Sequence, residues 1–222
     1  LLTIQENNSQ IMYIATNSRI GPSEIYKTMD GGVSWDPLNI HSNNVPDRFV
    51  TSIITDPCNQ NICYLSLSGY GIEHIYKSTT GGSTWFQISN PNAPYQTATA
   101  IPSIPVNYLM LRYISRTQKQ LIAATDAGVY QSVDDGSKSW KELASGLPNT
   151  IATSLNHNLL AGKLLVSTWG RGVYQTNLPG QIYVPCRQIL NSDETTSGLE
   201  VPDDIIVCTD AILEIPNTCT IK

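Results

Sequence analysis

The residues of this chain best suited to chemistry on a substrate are three carboxylates and a set of aromatic and cationic side chains. Glu24, Glu73 and Asp126 each stand beside an apolar run with strand character. Two opposed carboxylates roughly 5 to 9 Å apart are what glycoside hydrolysis requires, one as acid and one as nucleophile or base. The count permits such a pair, although spacing along the sequence does not establish it. Arg19, Tyr70, His74, Tyr95, Trp169 and Arg171, with Asp47 and Arg48, fall in similar polar stretches. Rings stack on pyranose faces while charged and amide groups hydrogen-bond hydroxyls, so this inventory suits a sugar groove. It is also what ordinary polar loops contain.

Other chemistries find no support. His41, His74 and His157 show neither HExxH spacing nor a neighbouring Ser and Asp arrangement. The five cysteines, Cys58, Cys63, Cys186, Cys208 and Cys219, include no CxxC pair, so neither a metal site nor a cofactor is expected. Cys58 and Cys63 bracket a turn-like Asn59-Gln60-Asn61-Ile62 between two strand-like runs. That arrangement fits a local disulfide stapling a hairpin, which would imply an oxidising compartment. Two reduced thiols, with Cys63 buried, are the other reading. A net charge of −5, from 13 Lys and Arg against 18 Asp and Glu, offers no basic footprint for nucleic acid or an anionic membrane. No apolar stretch reaches the roughly 18 residues of a transmembrane segment, and residues 1–13 lack the basic start and small-residue cleavage site of a signal peptide. The chain starts without Met in a strand-like run and stops in another, and so reads as a fragment or processed product.

The elements that must position these residues come from a repeat. Thr28-Met29-Asp30-Gly31-Gly32-Val33-Ser34-Trp35 recurs as Ser78-Thr79-Thr80-Gly81-Gly82-Ser83-Thr84-Trp85. It recurs again, one residue longer, as Ser132-Val133-Asp134-Asp135-Gly136-Ser137-Lys138-Ser139-Trp140. Each copy follows an apolar-Tyr-Lys/Gln lead-in at Tyr26, Tyr76 and Tyr130, and a fourth lead-in at Tyr174 has no such turn after it. Two further strand-like runs precede every lead-in, giving strands A, B and C, with the repeated turn joining C to D. With 41% hydrophobic and only 14% charged residues the composition favours many short strands over helices. Three units are complete; the fourth ends near Pro179-Gly180 without an evident strand D.

The repeat resembles the Asp-box, or BNR, motif S/T-x-D-x-G-x-T/S-W of sialidases, sortilin-like receptors, xyloglucanases and photosystem assembly factors. The resemblance covers about residues 1–178 and implies an all-β fold. The expected architecture is β-propeller blades of four antiparallel strands, three complete and one three-stranded, belonging to a larger propeller. Further blades N-terminal to Leu1, and a strand D for the last blade supplied from there, are expected partners. Asp30, Gly32, Trp35, Gly82, Trp85, Asp134, Gly136 and Trp140 are then structural turn residues, Asp accepting backbone N–H groups, Gly supplying positive φ and Trp filling space between sheets. Thr80 in place of Asp, and the extra residue before Trp140, predict less regular second and third turns. In such a propeller the B–C and D–A loops share one face, and all the candidate ligand residues above lie in them. Trp169-Gly170-Arg171-Gly172 resembles the closing segment of secreted bacterial members, where Arg171 would pair with backbone carbonyls or a carboxylate.

Residues 1–179 therefore form the propeller part. Residues 180–222, with three cysteines, no Trp and strand-like runs at 205–208 and 211–215, read as a linker and the start of a small C-terminal β module. A disordered linker is the alternative. The resemblance implies an extracellular or cell-surface binding or scaffold module for glycan or protein. The alternative is a xyloglucanase-like glycoside hydrolase using the B–C loop carboxylates. A sialidase is disfavoured because Ala100-Ile101-Pro102 lacks the Arg of that family's Arg-Ile-Pro segment.

Overall fold

The computed structural model describes residues 1–18, 22–90, 100–115, 118–132, 139–143, 146–158 and 162–178. Arg19, Tyr95, Asp134, Gly136, Cys186, Cys208, Cys219 and the proposed C-terminal module lie outside the described residues.

Four antiparallel sheets follow one another along the chain, each an up-and-down meander. The first contains β1 (Leu2–Gln5), β2 (Asn8–Thr16), β3 (Glu24–Thr28) and β4 (Asp36–Leu38). The second contains β5 (Val50–Asp56), β6 (Asn59–Leu67), β7 (Ile75–Ser78) and β8 (Phe86–Gln87). The third contains β9 (Val106–Tyr113), β10 (Lys119–Thr125), β11 (Gly128–Ser132) and β12 (Trp140–Glu142). The fourth has three strands, β13 (Ala152–Asn158), β14 (Lys163–Thr168) and β15 (Gly172–Asn177). The first strands of successive sheets, β1, β5, β9 and β13, are neighbours, so the sheets stack around a common inner edge.

Strand alternation decides which sheet each side chain serves. In β6, Cys63, Leu65 and Leu67 join Ile11, Tyr13, Ala15 and Ile25 of the first sheet in one core, while Tyr64 between them faces the third sheet. That second core is completed by Ile75 and Ile88 against Val106, Leu109, Leu121, Ala123 and Trp140. A third joins Ile122, Ala124 and Val129 to Ala152, Leu155, Leu164 and Val166. Burying each such side chain is worth about 1.5–3 kcal/mol, so inter-sheet packing, rather than any one hairpin, holds the stack.

The repeated turn is hydrogen-bonded within itself. Thr28 Oγ1 donates to Asp30 Oδ1 at 2.6 Å and accepts from the Gly32 N–H at 2.9 Å. Asp30 accepts from the Ser34 N–H at 2.9 Å and the Ser34 hydroxyl at 2.6 Å. These bonds, the Ser34 hydroxyl foremost, hold the Asp30 carboxyl well below the usual carboxylate range. Gly31 and Gly32 sit at φ 72° and 94°, which side chains with a Cβ rarely adopt. The second turn departs from the expected irregularity. Thr80 Oγ1 replaces the carboxylate, accepting from the Thr84 N–H at 2.9 Å and lying 2.8 Å from the Thr84 hydroxyl. Gly81 and Gly82 keep φ at 64° and 95°. A hydroxyl suffices because the acceptor position, not the charge, closes the turn.

The expected Cys58–Cys63 disulfide is absent; both are thiols. The hairpin turns earlier than the sequence suggests, at Pro57-Cys58 between paired Asp56 and Asn59, so residues 59–62 belong to β6. Cys63 pairs with Thr55 along the strand and points into the first core, whereas Cys58 sits exposed at the tip. Burial pushes the Cys63 thiol up to about 12.

Candidate ligand-binding face

The meander sends the A–B and C–D turns to one end of every sheet and the B–C and D–A loops to the other. At the turn end each sheet grips the next. Tyr13 Oη and Lys27 Nζ both donate to the Gly81 carbonyl, at 3.2 and 3.1 Å, and Lys27 lies 5.5 Å over the Tyr13 ring. Burial holds the Tyr13 phenol above its usual range, so it remains a donor. Nearby, the fully buried Asp56 carboxylate takes an ion pair from Lys119 and a hydrogen bond from Tyr113 Oη, and accepts the Cys58 N–H at 2.9 Å. Its role is structural, fastening the second sheet to the third.

The loop end carries polar clasps between the inner strands. The Asn17 side chain pairs with the Val50 backbone, donating to its carbonyl and accepting its N–H, both at 2.9 Å. Thr51 Oγ1 donates to the Val106 carbonyl at 2.5 Å, and Asn107 Nδ2 to the Ala152 carbonyl at 3.0 Å. On this scaffold Tyr70 Oη, from the second sheet's B–C loop, donates to Asp126 Oδ2 of the third at 2.7 Å. Asp126 Oδ1 accepts from Asn107 Nδ2 at 2.9 Å. The Asp126 hydrogen bond and charge hold the Tyr70 phenol above its ordinary value. Tyr70 is 66% exposed and Trp169, in the fourth sheet's B–C loop, 75% exposed. The Trp169 N–H donates to the Ile151 carbonyl at 2.9 Å, which ties its loop to the entry of β13. Tyr70 and Trp169 are thus fixed at the backbone or hydroxyl with their rings in water.

The three carboxylates are engaged separately. Glu24 accepts from Tyr26 Oη at 2.8 Å within its own sheet. Glu73 accepts from Ser89 Oγ at 2.6 Å and Asn90 Nδ2 at 3.5 Å. Asp126 belongs to the Tyr70 cluster. Among the described residues no hydrogen bond joins any two of them. His74 is 1% exposed, its Nε2 lying 2.8 Å from the Gly69 carbonyl, and burial lowers its pKa. It braces the loop carrying Tyr70 and does not face solvent. Arg171 is exposed beside Trp169, and among the described residues no hydrogen bond or ion pair of its side chain is found. Among the described residues no cluster of three His, Cys, Asp or Glu side chains could hold a metal ion.

Sequence reasoning missed Asn107 and Tyr108. Asn107 links Asp126 to the fourth sheet, and Tyr108 is 36% exposed near the start of β9. The available signal was a polar Asn placed at the entry of a largely apolar inner strand.

No family model matches the chain, and no curated protein matches it significantly. Among solved structures it is similar to the GH74 enzyme of Niastella koreensis, at 17% identity over 78% of this chain and 28% of that one, with a TM-score of 0.60. It is also similar to the GH74 xyloglucanase of Xanthomonas campestris, at 13% identity over 75% and 26% of the two chains, TM-score 0.56. An ancestral GH74 enzyme matches at 15% identity over 76% and 21%, TM-score 0.55. The chain spans about a quarter of the length of these structures. The likeness establishes the fold: these sheets are β-propeller blades.

Proposed function

We propose that this chain is an Asp-box propeller segment whose loop face binds glycan without hydrolysing it. The observation that carries this reading is the pairing of two water-exposed, anchored aromatics, Tyr70 and Trp169, with the Tyr70–Asp126–Asn107 hydrogen-bond chain on the same face. Exposed rings supply stacking planes, and the Asp126 and Asn107 groups beside them hydrogen-bond hydroxyls. Both oxygens of Asp126, by Tyr70 and Asn107, and both of Glu73, by Ser89 and Asn90, are already engaged, and this supports binding over proton transfer. Placement outside the cell or at its surface belongs to this proposal and rests on the Asp-box resemblance alone.

Titrating the 222-residue chain with xyloglucan and other β-glucan oligosaccharides by calorimetry tests it. Trp169→Ala is expected to weaken binding at least tenfold, about 1.4 kcal/mol, with the melting temperature unchanged. No binding to any glycan of the panel would refute the reading. A hydrolase is the second reading, favoured by the GH74 enzymes among the similar structures. It predicts reducing-end release that disappears in Glu24→Gln, Glu73→Gln or Asp126→Asn, whereas the binding reading predicts no release. A protein ligand in place of a glycan would appear as binding sensitive to Tyr70→Ala and Trp169→Ala but not competed by oligosaccharide.

A further inference from the structure

Each of the two exposed rings Tyr70 and Trp169 has an arginine beside it. Arg48 reaches over Gly69, the residue before Tyr70. A Cβ on Gly69 would meet Arg48 Cδ and Nε at 3.0 Å, so a glycine there leaves the space that the arginine chain occupies. Arg48 Nη1 donates to the Asp47 carbonyl at 2.8 Å, which fixes one end of the fork of an exposed side chain. On the fourth sheet, Trp169, Gly170 and Arg171 form the tip between paired Thr168 and Gly172, closed by Thr168 Oγ1 donating to the Gly172 carbonyl at 2.7 Å. Two residues span at most roughly 7 Å, so the backbones of Trp169 and Arg171 are close neighbours. Among the described residues no ion pair joins either guanidinium to a carboxylate. Asp126 gives its two oxygens to Tyr70 and Asn107, and Asp47 Oδ1 accepts from the Ser23 N–H at 3.2 Å.

The two pairs of ring and guanidinium sit on one continuous surface. Tyr70 is tied to Asp126, Asp126 to Asn107 and Asn107 to the Ala152 carbonyl, while the neighbouring Ile151 carbonyl takes the Trp169 N–H. Packed sheets lie about 10 Å apart, so the pairs, two sheets from each other, are separated by on the order of 20 Å. We propose, resting on the reading that this face binds glycan, that its ligand is an acidic oligosaccharide whose sugars carry an oxyanion, a uronate carboxylate or a sulfate ester. Each ring stacks on one sugar, and the adjacent guanidinium takes an anionic group of the same stretch of chain in a charge-assisted fork. The net charge of −5 does not oppose this, because screening confines the reach of surface charge to about 10 Å. Within that reach the two arginines set the local sign. Their separation exceeds it, so an oligosaccharide of several sugars, and not a single sugar, engages both.

The test is calorimetry of the full chain with matched pairs of oligosaccharides. Galacturonate, alginate and hyaluronan fragments are each compared with their carboxyl-reduced forms, and carrageenan fragments with their desulfated forms. The readout is the ratio of the two affinities, which cancels what the rings contribute to both members of a pair. The acidic member of at least one pair is expected to bind about 25-fold tighter, two contributions of about fivefold, and added salt is expected to shrink that preference. Arg48→Gln and Arg171→Gln should each lower the ratio about fivefold, and together bring it close to one, because sites this far apart act additively. Melting temperatures show that the variants are folded, and Arg171 has no partner among the described residues whose loss would unfold the chain. A ratio near one in the native chain, or a ratio that neither variant changes, would overturn the acidic ligand and leave glycan binding in place. Binding of neither member of any pair would instead overturn the glycan reading itself. A preference confined to the uronates or to the carrageenans identifies which oxyanion the arginines take.

Discussion

Trp85 and Trp140 occupy equivalent positions but are held differently, and that difference predicts a measurable asymmetry. Both are buried, 6% and 1% exposed, between consecutive sheets. The Trp140 Nε1–H donates to the Ile88 carbonyl, whereas the Trp85 Nε1 is buried without a partner among the described residues. Replacing either by Phe removes a similar volume and so costs a similar packing term. At Trp140 the change also removes a buried hydrogen bond, about 1 kcal/mol, whereas at Trp85 it removes an unsatisfied donor whose burial itself costs about 1–3 kcal/mol. Trp140→Phe is therefore expected to destabilise by about 2–4 kcal/mol more than Trp85→Phe. Replacement by Ala should cost about 3–5 kcal/mol at both buried sites and roughly 1–2 kcal/mol at Trp35, which is only half-buried because no sheet among the described residues covers it. Urea denaturation followed by circular dichroism measures all five variants, with unchanged slope showing that stability alone has moved. Equal losses for the two Phe variants would refute the assignment of the hydrogen bond, and an equal loss for the three Ala variants would refute the placing of Trp85 and Trp140 in inter-sheet cores.

Lys119→Met leaves the buried Asp56 carboxylate without its cation and should cost about 3–5 kcal/mol, read as a denaturation midpoint; a change under about 1 kcal/mol would mean that water reaches Asp56. The depressed Asp30 pKa places that group's contribution above its unfolded value of about 3.9 and removes it as pH falls through and below that value. Native protein and Asp30→Asn should thus differ in melting temperature most at pH 6–8 and converge toward pH 2, and a difference independent of pH would exclude the carboxylate as the cause. A thiol reagent should modify exposed Cys58 promptly and buried Cys63 only on unfolding, as followed by mass spectrometry; equal rates would contradict the hairpin register.

The architecture was legible because its signals are local. The repeated turn encloses its own hydrogen bonds within eight residues, so a sequence window contains its whole cause. Even the substitution of Thr80 could have been read correctly by asking for an acceptor oxygen in place of a charge. The Cys58–Cys63 reading failed for a related reason. Asn59 and Asn61 look like turn residues, but Asp56 accepts the Cys58 N–H and closes the hairpin two residues sooner. The loop face was less legible. Tyr70 and Asp126 lie 56 residues apart, and Asp56 meets Tyr113 and Lys119 at separations of 57 and 63. Such pairs exist only once inter-sheet stacking sets the distance between loops, and no periodicity in one sheet records it. His74 illustrates the same limit, since its place in a polar loop suggested a ligand contact while its ring turned inward to Gly69.

Trp85 and Trp140 each pack against the sheet before their own, and that division bears on how such a chain can change over evolutionary time. One wall comes from the sheet before and the indole from the sheet after, with Ile25 and Leu38 at the first junction matched by Ile75 and Ile88 at the second. A duplicated unit inserted between two others would bring an indole that fits the old wall and a wall that fits the old indole. Units can therefore be gained or lost whole at interior positions with little repair of their neighbours.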